Sequence, residues 1–181
     1  APSAVIVNSA IAMAAVACFG APRRARYAIP LAAALAVFGV INASTKTVDI
    51  YWMKGGRNPG SGLYEKWNAL SRIAVGEFNG DPFGWGMSPV YKPTKKIEQL
   101  YLNIDSGAAT VITRFSGDLS EVGHLKYDVT ALAHYLRTGS SALVIGVGGG
   151  RDILTALVFG QKRVVGVEIN PDIIDVVTSR F

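Results

Sequence analysis

Three consecutive glycines, Gly148-Gly149-Gly150, lie between the apolar run Ala142 to Val147 (ALVIGV) and an amphipathic segment, opened by Arg151-Asp152 and continued by Ile153 to Phe159. The β-branched enrichment before the glycines and the helical spacing after them read as strand, turn and helix. A second apolar run, Val164 to Val167, ends in Glu168, which stands 22 positions after Gly146. That interval is close to the ~20 residues at which an acid meets ribose hydroxyls in a dinucleotide-type βαβ unit. Glycines lack Cβ, so the backbone can approach a ligand closely and take positive φ, and free N–H groups at the following helix start attract an anionic group. A carboxylate at the strand end can accept hydrogen bonds from two ribose hydroxyls. The joint pattern points to a nucleoside ligand, with a purely structural βα turn as the alternative.

The other chemistry-bearing residues are sparse. His124 and His134 stand ten apart without a neighbouring ligand pair, so no metal site is expected. Cys18 is the only cysteine and lies in an apolar run, which excludes an internal disulfide framework or a thiolate cluster. Tyr127-Asp128 could face a ligand or form a solvated surface pair.

These residues must be positioned by a chain of 181 residues, half hydrophobic and 17% charged, with a mean hydropathy of +0.29. Such a composition excludes a disordered or purely surface-binding protein. Residues 1–48 hold Arg23, Arg24, Arg26 and Lys46 and no acid, leaving 14 bases and 13 acids, or +1, for 49–181. The pI of 9.4 is therefore no nucleic-acid footprint, and no nucleic-acid partner is expected.

Ala4 to Gly20 and Tyr27 to Ala43 are each 17 residues long without a charge, separated by a turn over Ala21 to Arg26. As helices each would span about 25 Å, at the short end for a ~30 Å hydrocarbon core. Neither shows a polar face, which favours a transmembrane hairpin over a soluble helical pair. Pro30 sits near the start of its run, where a helix tolerates it. The arginine turn matches Lys46, Lys54 and Arg57 three to three, so charge does not settle orientation.

Residues 54–62 are dense in turn chemistry and read as a linker. Ser71 to Phe78 alternates as a strand, and Ile97 to Ile104 and Ala108 to Phe115 flank the hairpin signal Asp105-Ser106-Gly107. Asp81 to Pro93 is a loop with three prolines and several aromatics, either a flap or membrane-skimming element or an ordinary surface insertion. From Val122, the residues Leu125, Val129, Leu132 and Leu136 recur at helical spacing, predicting one helix with a single buried stripe that Gly139 ends. The helical pattern reaching Phe181 has no stop signal, and the chain reads as an internal piece.

The dinucleotide fingerprint G-x-G-x-x-G from Gly146 would need glycine where Arg151 stands. The turn is instead similar to motif I of S-adenosylmethionine-dependent enzymes. Val144-Ile145-Gly146-Val147-Gly148-Gly149-Gly150-Arg151-Asp152, continued by Val165 to Pro171, resembles the spermidine/spermine synthase family, in particular a bacterial branch with membrane segments ahead of the catalytic domain. Trp67 to Ile73 resembles the segment that opens that domain. Soluble aminopropyltransferases carry an acid directly after the glycines, where this chain has Arg151 and then Asp152. They also tend to have Tyr-His-Glu where this chain has Tyr127-Asp128-Val129.

The resemblance implies an α/β chain: a transmembrane helical hairpin (1–47), a linker (48–63), a small antiparallel β-unit (64–117) and the first half of a doubly wound Rossmann-like domain (118–181). It implies a membrane-anchored transferase taking S-adenosylmethionine or decarboxylated S-adenosylmethionine, with Gly146, Gly148, Gly149, Gly150, Asp152 and Glu168 binding it and catalytic residues expected beyond Phe181. The partners implied are membrane lipid and a small-molecule amine acceptor, with room for a homo-oligomer. The location implied is the inner (plasma) membrane, with the soluble domain facing the cytoplasm. A non-catalytic membrane-bound nucleoside sensor or assembly subunit is the alternative from another class, and a nicotinamide dehydrogenase is disfavoured by Arg151.

Overall fold

The computed structural model describes residues 2–19, 22–50, 52–53, 56–57, 62–93 and 95–181, in two compact units, Ala1–Asn58 and Pro59–Phe181. In the first unit, α1 (Pro2–Phe19) and α2 (Pro22–Thr45) are two helices long and apolar enough to cross a membrane, by length and composition. Their contact is made of small residues. Ala10, Ala28 and Ala32 are buried, and a Cβ on Gly39 would lie 2.8 Å from Val7 Cγ2. Small side chains let two helix backbones approach. Asn42, also buried, donates to Ser3 Oγ at 3.0 Å and to the Val48 carbonyl at 3.0 Å, and accepts from Val48 N at 2.6 Å.

Two expectations about this hairpin need correction. The arginine stretch is not a turn: α2 begins at Pro22, so residues 22–26 are helical, and the other two residues between the expected runs, 20 and 21, lie outside the described residues. Proline is pre-organised for the first helical position and arginine is a good helix former, so the helix starts earlier than its apolar run. Pro30 consequently lies inside the helix rather than near its start. Most of the expected linker at 54–62 lies outside the described residues; its described part includes β2 (Gly56–Arg57), which pairs antiparallel with β1 (Trp52–Met53) just ahead of it.

The second unit opens with an antiparallel meander in chain order, β3 (Tyr64–Trp67), β4 (Arg72–Glu77), β5 (Gln99–Ile104) and β6 (Ala108–Thr113). The β5–β6 turn takes Asp105 and Ser106 to φ 51° and 56°, the double left-handed conformation that suits the twist of a tight hairpin. β4 does not alternate in burial: Arg72, Ile73, Ala74 and Val75 are all buried, so both faces of this inner strand are covered there. Arg72 is accommodated there by donating from Nε to Glu65 Oε1 at 3.1 Å.

Ile73, Val75, Leu102 and Ile112 on one face of this sheet pack against Ile173 and Val176. The latter belong to the C-terminal helical segment, α5 (Pro171–Asp175) continued by a turn of π-helix over Val176–Arg180. Asn170 caps α5 by accepting from Asp172 N at 3.1 Å, and Pro171 stands where the missing N–H costs nothing.

Between them runs a parallel βαβ unit: β7 (Ser141–Ile145), α4 (Arg151–Val158) and β8 (Arg163–Val167), with Ser141 opposite Arg163 and Ile145 opposite Val167. The single helix expected from Val122 to Leu136 is broken into a 3₁₀ segment Leu119–Tyr127, a short 3₁₀ turn Val129–Ala131 and α3 (Leu132–Leu136). Val122 and Leu125 are buried, whereas Val129, Leu132 and Leu136 are exposed. The break is at Asp128, whose backbone is extended (φ −93°, ψ 149°).

Candidate functional site

The turn after β7 is built by backbone geometry that only glycine adopts without strain. Gly146, Gly148 and Gly150 have φ of 78°, 51° and 80°. Gly149 has no such angle; its constraint is space, since a Cβ there would collide with the Val111 carbonyl of β6. The turn is thus pressed onto the antiparallel sheet. Gly146 N donates to the Val167 carbonyl at 2.8 Å and Gly150 N to the Val147 carbonyl at 2.9 Å, which closes the turn and joins it to the end of β8.

Glu168 is the next residue after β8, and its carboxylate spans the gap. Gly148 N donates to Oε2 at 3.1 Å and Asn170 N to Oε1 at 3.0 Å. Gly148, Gly149, Gly150 and Glu168 line one cavity of about 420 Å³, walled by apolar side chains including Ile112, Ile153 and Val177. A few convergent polar groups in a concave, mostly apolar surface of this size is the usual make-up of a small-molecule site. Gly146 does not line that cavity, although it closes the same turn. Asp152 is half exposed and lines a different groove, together with Arg137, His134 and the β7 residues Ser141 to Ile145.

Behind the turn lies an arrangement that spacing alone does not reveal. Arg151, the first residue of α4, is buried and forms an ion pair with Asp128, whose side chain is wholly buried. Asp128 therefore is not a solvated surface partner of Tyr127. Its carboxylate also accepts from Trp85 N (3.0 Å) and Gly86 N (2.9 Å). The Asp81 to Pro93 loop is fixed at further points, with Ser88 N donating to the Tyr127 carbonyl at 2.7 Å and Phe83 N to Gln99 Oε1 at 3.0 Å.

His124 is buried nearby with neither ring nitrogen hydrogen-bonded; burial, and next the Arg151 charge, lower its pKa to about 4. His134 is bonded through Nδ1 to Gln161 at 3.0 Å and stacked on Phe159, which gives it a packing role. The residues missed in the sequence, Asp128 paired with Arg151, are separated by 23 positions and share no periodic signal. The one available hint is a charged residue placed directly after a glycine turn.

No family model, curated protein or solved structure matches this chain.

Proposed function

We propose that residues 118–181 form the first half of a doubly wound Rossmann-like domain that binds S-adenosylmethionine or its decarboxylated form, and that the chain is a membrane-anchored, spermidine synthase-like transferase. The observation that carries this reading is the Glu168 carboxylate, hydrogen-bonded to the Gly148 amide and lining the same cavity. A strand-end carboxylate at a glycine turn suits the two hydroxyls of a ribose. The Arg151–Asp128 pair favours a ligand without phosphate. The Arg151 guanidinium already has an internal carboxylate as its counter-charge and is not free to bind a ligand phosphate.

In the proposed reaction an amine nitrogen attacks a carbon attached to the sulfonium. The new N–C bond forms as the C–S bond breaks, its electron pair stays on sulfur as a neutral thioether leaves, and the amine gives up a proton to a base. Glu168 would hold the ribose and the glycine turn would let the chain's backbone approach the ligand closely; the acceptor is a small-molecule amine.

Calorimetric titration of the wild-type chain and Glu168→Ala with S-adenosylmethionine, its decarboxylated form and NAD tests the ligand. Losing charge-assisted hydrogen bonds of about 1.5–3 kcal/mol is expected to weaken binding roughly 10- to 150-fold, with no NAD binding by either protein. Wild-type affinity surviving in Glu168→Ala would remove Glu168 from the site.

The same reading places α1 and α2 in the plasma membrane, with residues 60–181 on the cytoplasmic side, where such a ligand is made. A phosphatase reporter fused at Gly139 is expected to stay inactive, as it does in the cytoplasm. Strong periplasmic phosphatase activity there would overturn the orientation and the transferase reading with it.

A further inference from the structure

The segment Trp67 to Ile73 contributes no residue to the cavity, yet its side chains converge on the residues that follow Glu168. Asn68, in the β3–β4 turn, uses its full hydrogen-bonding capacity. Its Oδ1 accepts from Leu70 N at 2.8 Å and Ser71 N at 2.9 Å, closing its own turn. Its Nδ2 donates to Asn170 Oδ1 and to Asp172 Oδ2, both at 2.7 Å. Ser71 completes the link by accepting from Asn170 Nδ2 at 3.0 Å. Lys66 pairs with Asp172 at 2.6 Å, and this bond holds the Asp172 carboxyl below and the Lys66 ammonium above their ordinary pKa values.

Asn170 is therefore held from both ends of its amide by one turn of the antiparallel sheet. Its backbone N–H in turn donates to Glu168 Oε1, and the other Glu168 oxygen receives Gly148 N. We infer that Asn68 is a positioning residue for Glu168: it fixes Asn170, Asn170 fixes one carboxylate oxygen, and the second oxygen is thereby aimed at the glycine turn. A flexible glutamate at a strand end would otherwise lose rotamer freedom on meeting a ligand, and a carboxylate already oriented does not. The effect of this on ligand affinity rests on the function proposed above; the effect on Glu168 itself does not.

Asn68→Asp separates the two roles of the side chain. It keeps an oxygen for Leu70 N and Ser71 N, so the β3–β4 turn is retained, and replaces the two donors by an oxygen that repels Asp172 and Asn170 Oδ1. Amide hydrogen exchange of the ligand-free full chain is expected to show about tenfold or greater loss of protection at Gly148 and Asn170, with the β4–β5 amides unchanged. Ser71→Ala, which cuts the other end of the brace, should produce a smaller loss at the same two amides and serves if Asn68→Asp does not fold. Unchanged protection at Gly148 in both variants would overturn the inference.

For ligand, titration with S-adenosylmethionine should show about a tenfold loss in Asn68→Asp and no further loss when it is added to Glu168→Ala. Additive losses would mean that Asn68 acts on the fold and not through Glu168, and would overturn the inference. Failure of the wild-type chain to bind, with the amide pattern as expected, would refute the proposed ligand and leave the positioning role standing.

Discussion

Asp128→Ala is expected to destabilise the second unit by about 3–5 kcal/mol, because it leaves the Arg151 guanidinium as an uncompensated charge in a buried position. Domains of this kind have ~5–15 kcal/mol in total, so the variant should stand close to unfolding at ordinary temperature. Arg151 has weak substitutes: Asp152 lies 3.9 Å away and half exposed, and Thr130 Oγ1 is at 3.5 Å. The same change strips the acceptor from Trp85 N and Gly86 N, which unpins the aromatic loop.

If the buried charge is the cause, removing it as well should restore much of the loss. Asp128→Ala/Arg151→Met is therefore expected to recover at least about half of the destabilisation, since apolar replacement of a whole buried pair is often neutral. Urea unfolding of the purified chain, followed by circular dichroism with the m-value held as a control, measures both. A cost below about 1 kcal/mol for Asp128→Ala, or no recovery in the double variant, would show that the pair does not hold the helix start.

Local pattern in the sequence reaches what neighbouring residues fix and does not reach partners far along the chain. The glycine turn, its flanking strands and Glu168 were legible because each is fixed within a few residues: β-branched runs for β7 and β8, amphipathic spacing for α4, and a turn that only glycine can make. The hairpin at Asp105-Ser106-Gly107 was legible for the same reason. Periodicity failed at Asp128. Val122, Leu125, Val129, Leu132 and Leu136 keep helical spacing, but Asp128 takes an extended backbone because its carboxylate is recruited by two amides of a loop more than 40 positions earlier and by Arg151 after it. Spacing within one segment carries no information about such partners. The role of Asn68 was hidden likewise, since its partners Asn170 and Asp172 lie more than 100 positions away. The start of α2 lies ahead of its apolar run for a different reason: proline suits the first helical position and arginine is a good helix former, so the charged residues join the helix.

His124 gives the protein an acid limit with a definite window. Its ring is buried, its pKa is lowered from the ordinary 6.5 to about 4 by burial and then by the Arg151 charge, and it therefore stays neutral in the fold. Above pH 6.5 the ring is neutral in both folded and unfolded chains, and it contributes no pH dependence. As pH falls below 6.5 the unfolded chain takes up a proton that the folded one refuses, so stability drops until the folded ring also titrates near pH 4. The loss from this one group is about 3 kcal/mol between pH 7.5 and pH 4. Since neither nitrogen has a hydrogen-bond partner, His124→Phe removes the titration without breaking a bond. It should match the wild type within about 1 kcal/mol at pH 7.5, or exceed it, and be about 3 kcal/mol more stable relative to it at pH 4. Urea midpoints at the two pH values decide the matter: parallel curves for the two proteins would mean that His124 is not the group that limits the fold in acid.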